Sequence, residues 1–185
     1  RAAFERIVAN ISGSGGSLAA NSTRLETGTT VYQSRYTTGS WHGDLSAYEV
    51  ADVLTGQLAS TPKWVASAQL PAWDSRKIYV NKPGAATMPL FTWGNLNASQ
   101  QAALGDQKVV DYLRGDRSNE DPNGAMLRPR TGLLGDIVNS QPVYVGAPNA
   151  NLYRNSSGKF NGADTFQAYA AAKSSRLGVI YVGAN

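Results

Sequence analysis

Two short runs constrain this chain more than anything else in it: Pro142-Val143-Tyr144-Val145-Gly146-Ala147 and Val179-Ile180-Tyr181-Val182-Gly183-Ala184. β-Branched and aromatic residues in succession fit a pleated strand, and a glycine ends each run. Neither run alternates with polar residues, so both are expected as inner strands buried on both faces. Their shared pattern predicts that Val143–Val145 and Val179–Val182 lie in one sheet. The second run reaches Asn185 with no turn and no return strand, which predicts a chain end that falls inside a domain.

Composition removes whole classes of function. The chain has no cysteine and one histidine, His42. That excludes disulfides, thiolate chemistry and Cys-zinc sites, and it leaves transition metals without a ligand set. The net charge of +4 is modest, and the basic residues are dispersed, with Arg76-Lys77 the one adjacent pair. Nucleic-acid binding needs a clustered basic stripe, so no nucleic-acid partner is expected. No apolar run approaches the roughly 20 residues of a membrane-spanning helix. The 19 glycines suit short strands joined by many turns.

Along the chain, Phe4, Ile7, Val8 and Ile11 recur at helical spacing, which predicts a helix over 1–12. The run Ser12-Gly13-Ser14-Gly15-Gly16-Ser17 stops it and opens a linker over 13–28. A phosphate-cradling loop would need a following Gly-Lys-Ser/Thr, and none is there. Strands are expected over Leu25–Thr38, Trp41–Val50 and Lys63–Ala66, with Leu45 and Ala47 on one face and Tyr48 and Val50 on the other. Arg76–Val80 and Met88–Trp93 read as a hairpin with a long loop around Lys82-Pro83-Gly84. Asn97 is an N-cap residue for a helix to Leu104. Asp106–Arg114 reads as a second helix with Gly115 as its C-terminal cap, and Asp116–Arg130 as a loop. Thr165–Lys173 is alanine-rich and helical, with Phe166 and Tyr169 on one face.

Few residues carry chemistry. His42 and Asp44 lie on one strand with no nucleophile elbow nearby, so His42 is read as a strand residue bonded towards a turn. Asn119, Asp121 and Asn123, followed by Gly124, match the first half of a calcium loop. Arg130 stands where the bidentate glutamate belongs, and Pro122 intrudes, so the reading favoured is an Asx-rich surface loop. Arg114, Gly115 and Asp116 spell the tripeptide that integrins recognise, an adhesion candidate if exposed at a loop tip. The competing reading uses the same residues as a helix end, its cap and the start of a turn. Asp136 is expected to bond backbone amides in a turn. Trp41, Trp64, Trp73 and Trp93 are expected mostly in packing, with a sugar-stacking platform as the alternative.

The run Leu134-Gly135-Asp136-Ile137-Val138-Asn139-Ser140-Gln141-Pro142-Val143-Tyr144-Val145-Gly146, followed by Val179 to Asn185, resembles the PilY family. These are tip-associated adhesins and biogenesis factors of type IV pili. Trp41 to Tyr48, Val110 to Asp116 and the Arg128-x-Arg130 pair match as well. The resemblance implies a mainly β fold with short helices: the run-in segment and first blade elements of a partial, quinoprotein-like β-propeller. Gly43-Asp44-Leu45-Ser46-Ala47, Thr55-Gly56 and Trp64-Val65-Ala66 carry the blade pattern. It further implies that 1–12 is the last helix of an upstream von Willebrand factor A-like domain, 13–28 a linker, and 29–185 an incomplete propeller-type domain.

The function implied is non-enzymatic: a pilus-tip adhesin and assembly factor serving surface attachment and twitching motility, on the outer surface of a Gram-negative cell. Implied partners are pilins, other pilus-tip components and host surface receptors. The calcium site of the family lies downstream, so no cofactor is expected in this chain. The rival readings are a fragment of a quinoprotein dehydrogenase-like propeller, for which cofactor ligands are lacking, and a carbohydrate-binding module built on the tryptophans.

Overall fold

A computed structural model describes residues 17–21, 29–121, 127–149 and 163–185. The helix expected over 1–12 and most of the linker expected over 13–28 lie outside these. The chain forms two compact units, one of Arg1–Val65 with Gly135–Asn185 and one of Ala66–Leu134. Among the described residues the architecture is mixed and mostly β, with three α-helices and no closed barrel or propeller.

The first unit is built on a long hairpin. β2 (Thr30–Thr37) and β3 (His42–Asp52) pair antiparallel from Thr30↔Glu49 to Thr37↔His42. β1 (Leu18–Ala20) lies in the stretch expected as linker and pairs with β2 on its other side. On the far edge of β3, β4 (Gln57–Leu58) and β5 (Trp64–Val65) pair in turn. They are two pieces of one row, with Pro62 between them in a Ser-Thr-Pro sequence that cannot complete the ladder.

Residues directly opposite in an antiparallel ladder share a face. The Tyr32↔Ala47 pair therefore faces one way and Val31↔Tyr48 and Gln33↔Ser46 face the other. Every residue from Thr30 to Ser34 is buried, so both faces of β2 are covered. Leu45 and Ala47 are buried on the Tyr32 face, as their alternation predicted.

β6 (Val143–Val145) and β7 (Val179–Tyr181) pair antiparallel as a separate two-stranded ladder. The expected pairing of the two apolar runs is thus observed. The expected burial on both faces is not. Tyr144 and Ile180, directly opposite one another, are half-buried, whereas Val143, Val179 and Tyr181 are 54%, 41% and 55% exposed. An inner strand needs neighbours on both edges and layers on both faces; a two-stranded ladder with one face on the core supplies neither. Tyr144 on the inner face stacks on Tyr32 with ring centroids 5.9 Å apart, and Trp64 tilts against Tyr32 at the same distance. Burial, with Tyr144 beside it, pushes the Tyr32 phenol above its ordinary range. α3 (Ala163–Ala172) also belongs to this unit, with the Phe166 and Tyr169 rings in tilted contact.

The second unit holds α1 (Ala98–Leu104) and α2 (Gln107–Arg114). Asn97 caps α1 and trades bonds with Gln100 in a capping box, which satisfies two amides the helix itself cannot. Asp106 caps α2, and Gly115 closes it at φ +116, a left-handed position suited to glycine. The hairpin expected from 76 to 93 is reduced to one bridge, Tyr79↔Leu90. Pro89 has no N–H to extend the ladder, and Trp93–Asn95 turns into a 3-10 helix instead.

Candidate functional site

The tripeptide Arg114-Gly115-Asp116 lies in the second unit, and the structure makes it an internal joint. Arg114 is 5% exposed. Its guanidinium donates to the carbonyls of Phe91 at 2.8 Å, Asp74 at 3.0 Å and Trp73 at 3.3 Å, and it lies 5.8 Å from the Trp73 ring centroid. A β-carbon on Gly115 would run into the Arg76 guanidinium, which itself donates to the Arg114 carbonyl at 3.1 Å. The Asp116 carboxylate accepts from the Ser118 amide and hydroxyl. Integrin-type recognition needs the guanidinium in solvent, and this one is spent on backbone carbonyls. The capping account of these residues is the one the geometry follows.

A second arginine cluster adjoins in sequence and was not foreseen. Glu120 is 4% exposed and receives Arg130 at 2.7 Å and Arg117 at 3.2 Å. Arg130 also donates to the carbonyls of Tyr112 and Asp116 and lies 3.6 Å from the centre of the Tyr112 ring. Arg117 bonds the Arg130 carbonyl as well. Desolvation pushes the Glu120 carboxyl up, but its bonds from Arg130 and Arg117 outweigh that and hold it below its ordinary range. The legible signal was the i,i+3 pair Arg117/Glu120 in a stretch dense with charge. A polar loop of this kind folds when arginine forks satisfy carbonyls that no helix or sheet reaches.

Of the calcium candidates, Asn119 gives its carbonyl to the Leu127 amide, its side-chain amide donates to Ser118, and the Asp121 amide donates to the Leu127 carbonyl. Asn123 lies outside the described residues. No group of three or more His, Cys, Asp or Glu side chains gathers among the described residues.

In the first unit, the His42 ring nitrogen Nδ1 pairs with the Ser40 hydroxyl at 2.8 Å, a turn-facing bond of the kind expected. His42 also bridges to Gly135, and a β-carbon on Gly43 would meet the Gly135 carbonyl and Ile137. Only glycine lets the Leu134–Ser140 stretch approach β3 this closely. Asp136 does not bond turn amides: its carboxylate accepts from the Asn185 side chain at 3.2 Å and its carbonyl from the Asn185 amide at 3.1 Å. The Ser140 hydroxyl accepts from the Gly183 amide at 2.7 Å. A shallow cleft of about 210 Å³ opens among Asp136, Asn139, Ser140 and Asn185.

The chain is 49% identical over 184 residues to a type IV pilus biogenesis factor PilY1 homolog of Xylella fastidiosa, covering 99% of this chain and 14% of that protein. It is 34% identical over 164 residues to the type IV pilus biogenesis factor PilY1 of Pseudomonas aeruginosa strain PAK, covering 79% of this chain and 14% of that protein. This chain is homologous to part of the PilY1 proteins. A second PilY1 homolog of Xylella fastidiosa matches at 27% over 197 residues. No protein-family model and no solved structure matches. The chain spans about one seventh of the length of the PilY1 relatives, 14% for the first two. The motifs that resemble the PilY family, Leu134–Gly146 and Val179–Asn185, are the two halves of the β6–β7 joint and its Asp136–Asn185 closure. No described helix is long and apolar enough to cross a membrane.

Proposed function

We propose that this chain is a non-catalytic segment of a type IV pilus tip adhesin and assembly factor, acting in pilus biogenesis, surface attachment and twitching motility at the outer surface of a Gram-negative cell. The observation that carries this reading is identity at 49% over 99% of the chain to a pilus biogenesis factor. Asp106 is taken up by capping, and Arg114, Arg117, Arg130 and Glu120 by arginine–carbonyl and arginine–carboxylate bonds, in keeping with a structural segment. Pilins and other pilus-tip components are its partners on this reading, and host receptors a further one. The antiparallel meander of β2 to β5 is the kind of unit from which propeller blades are made, which supports reading 29–185 as part of a propeller-type domain.

The test is genetic. Chromosomal substitutions that break the β6–β7 joint, made in the full-length protein, should reduce surface pili and twitching zones while the protein is still exported. Normal piliation and twitching with a disrupted joint would overturn the proposal. Reproducible turnover of any substrate by the purified protein, lost in His42→Ala, would overturn its non-catalytic part.

A further inference from the structure

We propose that β1 is a latch: docked on β2, it holds the β6–β7 ladder in place through Ser17 and Ser140, so that latch and ladder open together. The burial of β2 follows the extent of β1. Thr30 to Ser34 are all buried and lie opposite Asn21 to Ser17. Arg35 to Thr37 are still paired with β3 but lie past the end of β1, and they are exposed or half-buried. The three residues of β1 thus cover a strand edge that would otherwise present unpaired amides and carbonyls.

β1 is itself lightly held. Leu18, Ala19 and Ala20 are only half-buried, and no strand pairs with the outer side of β1 among the described residues. Side chains close its two ends. The Asn21 carboxamide oxygen accepts from the Thr30 amide at 3.0 Å, and the Ser34 hydroxyl accepts from the Ser17 amide at 3.1 Å. Short edge elements with few buried contacts open at low free energy. β1 also follows directly on the Gly/Ser run that ends at Ser17, so a displacement upstream meets it before any other described element.

The ladder is fastened to this latch. Ser17 and Asn21 bond Ser34 and Thr30, and the alternation of an antiparallel ladder then turns the Leu18 carbonyl away from β2. The Gln141 carboxamide donates to that carbonyl at 3.2 Å, and the Ser17 hydroxyl donates to the Ser140 carbonyl at 2.7 Å. Pro142, fully buried at the entry to β6, has no N–H to offer a neighbouring strand, so side chains make the join. The Ser140 hydroxyl accepts from the Gly183 amide at 2.7 Å, just past β7. Ser140 is therefore held by β1 on one side and by the chain leaving β7 on the other. The Tyr144 ring stacks on Tyr32, the residue opposite Ala19, so the aromatic contact of the ladder rests on the same stretch of β2.

Hydrogen exchange on the full-length protein tests the latch, read at the amides of β1, β2, 143–145 and 179–181, with α2 as reference. Ser17→Ala removes the bond to Ser140 and leaves the backbone bonds of residue 17 in place. It should lower protection of 143–145 and 179–181 about two- to tenfold, the net contribution of one hydrogen bond. Ala19→Pro removes an amide from the β1–β2 ladder. It should lower protection of Thr30–Ser34 and of both ladder strands together, with α2 unchanged. Coupling is reciprocal, so Gly178→Ala, which crowds Tyr144, should in turn speed exchange in β1. Unchanged protection of 143–145 and 179–181 in either β1 variant would overturn the proposal, since β1 would then be an independent edge. So would an equal loss in α2, the mark of general unfolding, and so would β1 exchange that ignores Gly178→Ala.

Discussion

Gly178 and Gly146 flank the Val145↔Val179 pair, and the Tyr144 ring lies over both. A β-carbon at Gly178 would stand 2.6 Å from Cε2 and Oη of Tyr144 and 2.9 Å from Cζ. Optimal carbon contacts lie at about 3.5–4.0 Å, so Gly178→Ala is roughly 1 Å short of room. The ring cannot swing away without leaving its stack on Tyr32, where the planes are 10° apart. Overpacking of this kind costs about 1–3 kcal/mol. Hydrogen exchange of the 143–145 and 179–181 amides reads that cost locally, as a loss of protection of about five- to 150-fold. The decisive arm is Tyr144→Ala. With the ring gone, Gly178→Ala should be neutral, or stabilising by up to about 1 kcal/mol, because alanine loses less backbone freedom than glycine in a strand. The sign of the substitution therefore depends on Tyr144. An equal loss of protection with and without the ring would refute the reasoning, since the cost would then come from the backbone of Gly178 and not from the overlap.

Glu120 is held below its ordinary range, so its contribution to the second unit is full above about pH 4.3, the usual glutamate value, and is lost as pH falls through the lower folded value. Melts between pH 2 and 7 should show that acid limb in the parent and a flattened one in Glu120→Gln, which at pH 7 should be destabilised by about 1.5–3 kcal/mol because the charge-assisted bonds from Arg130 and Arg117 lose their carboxylate; an unchanged acid limb would sink this account. β7 has no strand on its outer edge among the described residues, and Val143, Val179 and Tyr181 are exposed beside it. The isolated chain should therefore self-associate in sedimentation, and Val179→Lys should suppress this, since charge on an edge blocks strand addition; a monomeric parent would count against it.

Local chemistry was legible without the fold. Asn97 and Gln100 carry a capping box within four residues, Gly115 closes α2 where a left-handed residue is needed, and the two apolar runs pair with one another. Each depends on neighbours in sequence or on a shared pattern, and short-range propensity reports both. The motif over Leu134–Gly146 also carried the family. Burial was not legible. Thr30-Val31-Tyr32-Gln33-Ser34 reads as half-polar yet is covered on both faces, while the wholly apolar Val179-Ile180-Tyr181 is half in solvent. Which strand is central depends on the layers that other elements bring to it, and hydrophobicity along the strand does not encode that. The same holds for Arg114: its sequence suits an exposed adhesive loop as well as a helix end. Only the convergence of the Phe91, Trp73 and Asp74 carbonyls on one guanidinium, from segments distant in sequence, decided that it is buried.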